Sequence, residues 1–324
     1  QAASLTSIAV SQRIDPKLFE KHYKDHLSNF KNWEQREHAE EWMLFPDNIG
    51  AHLSIDEVAL TNGELYTVIT NRAGHGKQGA LVGMFQGTDA VIIARKLNTI
   101  ELGLRNQVTE ITLDMSPAME AIVRDAFPKA RLVTDRFHVQ QLVSEALQEI
   151  RVSLRREAIK EENEAIKKAR KEKRRYCPYL YDNSDSKKQL LARSRHLLFK
   201  PSNRWHDSQK ERAGILFLEY PKLKRAYNLS MMFRSCYESS KTKKEAKAQL
   251  KVWYAKVEAS GIDEFEVPAE TVHVHENTIL NYFINRSTNA AAESFNAKLK
   301  NFRAVVRGVT DKKFYLFRVA KLYG

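Results

Sequence analysis

"VTEITLDMSPAM", residues 108–119, is a short apolar strand that ends on a carboxylate and turns at once into a helix. Side chains alternate across a strand, so Ile111, Leu113 and Met115 share one face while Thr112 and Asp114 share the other. Ser116 followed by Pro117 makes a helix start, Ser offering the capping oxygen and Pro fitting the first helical position. Asp114 is then left without a capping task. An acid at a strand end is either solvated or functional, and this stretch alone leaves both open.

Upstream, "HLSIDEVAL" (52–60), the turn "TNG" (61–63) and "ELYTVITN" (64–71) make a hairpin by pattern, and "ALVGMFQG" (80–87) adds a third strand after the loop "RAGHGKQG" (72–79). Thr88 is the candidate cap of a helix running to about Asn106. Downstream, a helix over Pro117–Phe127 leads to a fifth strand, "ARLVTDRF" (130–137). Three hairpin-linked strands, helix, strand, helix, strand and then helices is the order of a ribonuclease H-like α/β fold, a mixed sheet with helices on both faces. The first and fourth strands are neighbours in that fold. Leu53 and Ile55 share a face of the first strand, so Asp56 points away from them, as Asp114 does from its own core face. The fold would bring the two acids together.

From His138 the pattern is helical for well over a hundred residues. "RREAIKEENEAIKKARKEKRRY" (155–176) is charged on all sides, the mark of a solvated helix. "CPYLYDNSDSKKQ" (177–189) breaks it, and "LLARSRHLLF", "ERAGILFLEY" and "AKAQLKVWYAKVEAS" resume helical apolar spacing. At the other end, "SLTSIAVSQRIDPKLFEKHYKDHL" (4–27) makes two short helices, the second with Asp15 as cap and Pro16 at its first position. The pair is either a helix-turn-helix remnant or a hairpin packed on the main domain. The expected organisation is a helical N-terminal segment (1–50), the first part of the core (51–137), an all-helical insertion (138–286) and the C-terminal helices of the core (287–324).

Composition narrows the partner. Of 324 residues, 53 are Lys or Arg against 40 Asp or Glu, a formal charge of +13 that favours a polyanion, most economically nucleic acid. The two cysteines, Cys177 and Cys236, have no metal-ligand spacing, which argues against structural zinc and for a reducing compartment. No apolar run reaches membrane-spanning length and no signal peptide opens the chain, so a cytoplasmic location is expected.

A third acid should come from a late helix. "RSTNAAAESFNAKLKNFRAVVRG" (286–308) starts at the capping candidates Ser287 and Thr288, with Ala292, Phe295, Leu299 and Phe302 on one apolar stripe. Asn289, Glu293, Asn296 and Lys300 form a polar stripe beside it. Three carboxylates that converge suit two Mg²⁺ ions, since hard cations take oxygen ligands and leave positions for phosphate oxygens. Two such ions about 3.5–4 Å apart serve in-line phosphodiester displacement.

Three blocks of the chain resemble the DDE transposases of bacterial insertion sequences, in the group named after the ISL-three element. They are "LSIDE" (53–57), "ITLDMSPAMEAIVRDAFPKARLVTDRFHVQQLVSEALQEIR" (111–151) and "STNAAAESFNAKLKNFRAVVRG" (287–308). "YKDHLSNF" (23–30) and "LLARSRHLLFK" (190–200) resemble, more narrowly, the branch found in Bacteroides-type elements. The resemblance implies a triad of Asp56, Asp114 and Glu293 acting with Mg²⁺, or Mn²⁺ in its place, at two ions per site. It also implies a D-x-x-H motif, Asp135 and His138, beside the active site, where His138 is expected to hydrogen-bond Asp135, to act in catalysis or to touch DNA. Asp135 also ends a strand and is the rival second acid; Asp114 is preferred because its strand neighbours the first.

The activity so implied is metal-dependent cleavage of double-stranded DNA at element ends and strand transfer into a target, by a homo-oligomer on DNA in the bacterial nucleoid. Asn289, Asn296, Lys298, Lys300, Arg303 and Arg307 are expected along the DNA. The rivals are a structure-selective nuclease or resolvase on the same fold, and an inactive DNA-binding derivative. One departure stands out. The group carries a zinc-binding segment and a full helix-turn-helix ahead of the core, where this chain has about fifty residues and no cysteine. End recognition is therefore expected in a separate polypeptide, in a part missing from the chain or in the short helical pair.

Overall fold

Among the residues that the computed structural model describes, 4–60, 63–306 and 311–324, six strands form one mixed sheet. They are β1 (Trp42–Leu44), β2 (His52–Ala59), β3 (Leu65–Asn71), β4 (Leu81–Gln86), β5 (Glu110–Leu113) and β6 (Arg131–Thr134), in the order β1-β4-β3-β2-β5-β6. β2 pairs parallel with β5, Leu53 opposite Ile111, and β5 pairs parallel with β6, Ile111 opposite Leu132; the other pairings are antiparallel. The expected neighbours therefore lie side by side. Trp42–Leu44 falls in the segment expected to be helical (1–50), yet it adds an edge strand on β4.

The helices are α1 (Leu5–Ser11), α2 (Pro16–His22), α3 (Ala90–Leu97), α4 (Leu102–Arg105), α5 (Pro117–Ala126), α6 (Arg136–Lys171) and α7 (Lys187–Arg193). They continue as α8 (Asp207–Glu219), α9 (Pro221–Ser239), α10 (Lys243–Ser260), α11 (Glu266–Val274), α12 (Glu276–Asn285), α13 (Ala290–Val305) and α14 (Lys312–Tyr323). The chain divides into two compact units, one of Gln1–Asp135 with Asn285–Gly324 and one of Arg136–Ile284.

In the first unit both faces of the sheet are covered, which is why its strands are apolar nearly throughout. Leu53, Ile55, Ile111 and Leu113 pack with Ile93 and Leu97 of α3 and Met119, Ile122 and Val123 of α5. On the other face Val58, Val68 and Met84 meet Phe295, Leu299 and Phe302 of α13 and Leu316 and Val319 of α14. The face that bears Asp56 and Asp114 is thus a second core, roofed by the helix that carries Glu293, and not the non-core face the alternation suggested. Each large side chain so buried contributes roughly 1.5–3 kcal/mol.

Three local expectations are corrected. Asp89, not Thr88, caps α3 through the Val91 and Ile92 amides, and the helix stops at Leu97 before the separate turn α4. Ser116 stands at the N-cap of α5 without a capping hydrogen bond; its own N–H donates to Asp114 Oδ1 at 2.8 Å, an Asx-turn. Asn289, not Ser287 or Thr288, stands at the N-cap of α13. The α1–α2 pair, with Asp15 accepting from the Leu18 amide, packs Leu5 and Phe19, with Tyr23 just after α2, against Phe314 and Phe317 of α14. Thr61 and Asn62 of the expected hairpin turn lie outside the described residues.

The second unit is helical. α6 buries Val139, Val143, Leu147 and Ile150 along its first half and then turns to charged residues. Trp253 and Phe233 lie at 0% exposure in the core of α9 and α10, the Trp253 indole N–H donating to Leu229 O at 3.0 Å. The break at 177–189 is tied down by buried Asp185, which accepts from Arg193 and, at 2.8 Å, from Arg212. No helix among the described residues is long and apolar enough to cross a membrane.

Candidate metal centre at the strand ends

Three parallel strands each deliver an acid at one level of the sheet, Asp56 from within β2. Ser54 pairs with Thr112, so Asp56 and Asp114 stand at one level two residues further on. Leu113 pairs with Thr134, which puts Asp135 level with Asp114. Asp114 and Asp135 are the first residues past β5 and β6. Chain direction, not sequence proximity, gathers them.

The polar stripe of α13 crosses these ends. Asn296 Nδ2 donates to Asp56 Oδ2 at 2.9 Å and to Glu57 O at 3.4 Å. Two turns earlier the Asn289 N–H donates to Asp135 Oδ1 at 3.0 Å, and Asn289 Oδ1 accepts from Thr112 Oγ1 at 3.1 Å. Ser54 Oγ lies 2.6 Å from Thr112 Oγ1, so with the Thr112 proton given to Asn289 the Ser54 hydroxyl is the donor of that pair. Glu293 sits about one turn from each asparagine, and its carboxylate comes within 4.8 Å of that of Asp135.

The four acids differ in how their oxygens are occupied. Asp56 Oδ1 accepts from the Glu57 amide at 2.8 Å while Oδ2 takes Asn296; Asp114 Oδ1 takes Ser116. Asp135 is 2% exposed, and its Oδ2 has no hydrogen-bond partner among the described residues. A buried, unpartnered carboxylate oxygen is costly unless a cation or donor completes it. Glu293 is exposed and able to meet such a cation. Burial, and then the charge of Asp114, raises the Glu57 carboxyl above its ordinary range, a sign of crowded negative charge at this end. Carboxylate oxygens suit a hard divalent cation, and the close approach of the Asp135 and Glu293 carboxylates points to divalent metal use.

A second buried acid positions the helix. Glu110, at the opposite end of β5, is 0% exposed and accepts from Arg131 at 2.7 Å, Asn285 at 2.9 Å, Arg72 at 3.3 Å and the Ser287 hydroxyl. Burial alone would raise its pKa, but the hydrogen bonds from Arg131, Ser287 and Asn285 together hold it below the ordinary range. Asn285 and Ser287 lie just ahead of α13, so this anchor fixes where the Glu293 helix begins. Glu110 was missed from sequence, although its parity with Thr112 and Asp114 in an apolar strand was the available signal.

The residues expected along DNA are placed unevenly. Asn289 and Asn296 are 0% and 7% exposed and hold the acids from inside. Lys298 Nζ donates to Gly76 O at 2.8 Å, closing the 72–79 loop where Gly76 has φ +64°. Arg303 is bidentate on Glu64, at 3.1 and 3.0 Å, and stacks over Tyr315. Lys300 is exposed; Arg307 lies outside the described residues. His138 falls in the first turn of α6, in the second unit.

The profile of a family described as a transposase, of DDE type and in the ISL-three group, matches residues 53–319. That span includes Asp56, Asp114, Asp135 and Glu293. No curated protein sequence matches the chain.

Proposed function

Since the chain belongs to the transposase family of the ISL-three group, we propose that it cuts double-stranded DNA at the ends of an insertion sequence and joins the freed 3′-hydroxyl to target DNA at the same site. Asp56, Asp114 and Glu293 are the acids assigned to the reaction, with Asp135 and His138 as auxiliaries. They would hold two divalent cations, Mg²⁺ or Mn²⁺, whose chemistry when bound is to activate an attacking oxygen and neutralise charge on the leaving one.

What supports the reading is one helix. α13 fastens Asp56 through Asn296 and Asp135 through Asn289, with Glu293 between them on the same polar stripe. The chain's contribution is therefore preorganisation: Asn296 and the Glu57 amide orient Asp56, the Asx-turn orients Asp114, and the Glu110 anchor sets the register of Glu293. All three acids must be ionised to act, and the like charges among them make that easiest once a cation is present.

A second ligand set has an observation in its favour. Asp135 stands within 4.8 Å of Glu293 and keeps a buried oxygen without a partner among the described residues, so Asp135 in place of Asp114 is the rival assignment. Cleavage and strand transfer on DNA carrying the flanking inverted repeats, in Mg²⁺ or Mn²⁺, separates them. Asp114→Asn is expected to abolish both steps and Asp135→Asn to weaken them. The reverse pattern would move the second acid to Asp135. Cutting without joining would assign the chain to the structure-selective nucleases instead.

A further inference from the structure

We infer that Arg151, Arg155 and Arg195 form a phosphate seat in the helical unit, occupied by a backbone phosphate of duplex DNA. The inference rests on the proposal that the chain acts on DNA, and adds a site away from the strand ends.

Arg151 is 6% exposed on α6. Among the described residues its guanidinium donates to neutral acceptors, Nε to Gln148 Oε1 at 2.6 Å and Nη1 to Leu191 O at 2.9 Å. Gln148 Nε2 in turn donates to Arg195 O at 3.3 Å, which draws the segment after α7 against this point of α6. Arg155 follows Arg151 by one helical turn, so it shares the face. Arg155 and Arg195 are both exposed.

None of the three forms an ion pair among the described residues. Elsewhere in the same unit the largely buried Arg212 is matched by buried Asp185, which also takes Arg193, and Arg136, Lys187 and Lys188 meet Glu238, Glu161 and Glu162 nearer the surface. The pKa of Arg151 is lowered first by burial and then by the charges of Arg155 and Arg195, so its surroundings oppose its charge without any carboxylate to answer it. A guanidinium left in this state favours an anion from outside, and its planar fork suits a phosphate in particular. The +13 chain and its transposase family make DNA the abundant source of such phosphates.

The full chain carrying Arg155→Gln and Arg195→Gln tests this without touching the buried group. Fluorescence anisotropy on two unrelated duplexes across a NaCl series is expected to show about tenfold weaker binding on both, the order of one charge-assisted contact. The slope of log K against log salt is expected to fall by about 1. Lys224→Gln with Arg225→Gln, two exposed cations of α9, is the charge-matched control and is expected to change less. A folding check by thermal melting accompanies each variant. Unchanged affinity and slope, or an equal loss in the control, overturns the seat while leaving DNA binding standing. A wild-type chain that binds no duplex in 50 mM salt overturns the DNA reading and the seat with it. Stabilisation of the wild type by inorganic phosphate, absent in the variant and joined to unchanged DNA affinity, would assign the seat to free phosphate.

Discussion

Glu110 and Asp135 are both buried carboxylates of the same parallel strand trio, and they are treated oppositely. Glu110 collects four side-chain donors, two of them guanidiniums, from three places in the sequence. Among the described residues Asp135 receives one amide and keeps an oxygen bare. A buried charge whose shell the protein has filled is a piece of architecture; one whose shell is incomplete is held for something that arrives later. The difference separates the end of the sheet that fixes α13 from the end that the acids share.

The largest expected effect tests the filled shell. Glu110→Ala leaves Arg131 and Arg72 without their acid and Ser287 and Asn285 without an acceptor, and should cost about 3–5 kcal/mol in denaturant unfolding, the usual result of breaking a buried pair. Asp135→Asn should cost far less, because no cationic partner is stranded. If Asp135→Asn proves the more destabilising of the two, the comparison is backwards. Acid makes the same point: the Glu110 pKa is depressed in the fold, so its stabilisation is complete above the unfolded value and is lost as pH falls through the folded one. The wild type should lose stability in that window, and Glu110→Gln should flatten that part of the profile.

The second effect tests the end that the acids share. A divalent cation that binds only the folded chain stabilises it by about 2.7 kcal/mol at one hundred times its dissociation constant. Mg²⁺ or Mn²⁺ should therefore raise the melting temperature of the wild type. The rise should shrink in Asp56→Asn, Asp114→Asn and Glu293→Gln, each of which should still fold. A rise of full size in all three would place the cation elsewhere.

How much of this was visible in sequence follows the range of the interactions. The parity that points Asp56 and Asp114 to one side is a two-residue rule, and the amphipathic stripe of α13 a four-residue rule; both were readable because short-range geometry sets them. The Glu110 shell was not, since its partners lie 38, 21, 175 and 177 residues away and are chosen by the fold. The same limit explains Asn289 and Asn296. Their residue types fit a DNA surface as well as a buried acid, and only the roof over the second face decides between the two. Local competition accounts for the caps: Asp89 outbids Thr88 by accepting two amides, and Asp114 takes the Ser116 amide in its turn.

The smallest expected effect falls on the relay between the two ends. Ser54, Thr112 and Asn289 form a chain of hydroxyls and amide from β2 through β5 to the start of α13, and Ser54, Thr112 and Asn289 are each 0% exposed. Thr112→Val keeps the shape and removes the middle link, at about 1 kcal/mol for a typical buried hydrogen bond. The loss should be partly recovered by adding Ser54→Ala, because a donor with no acceptor costs more than a pair removed together. Since Asn289 also holds Asp135, the single variant should lower the cation-induced rise in melting temperature as well as basal stability. If only basal stability falls, the relay is packing and does not help to position the Glu293 helix.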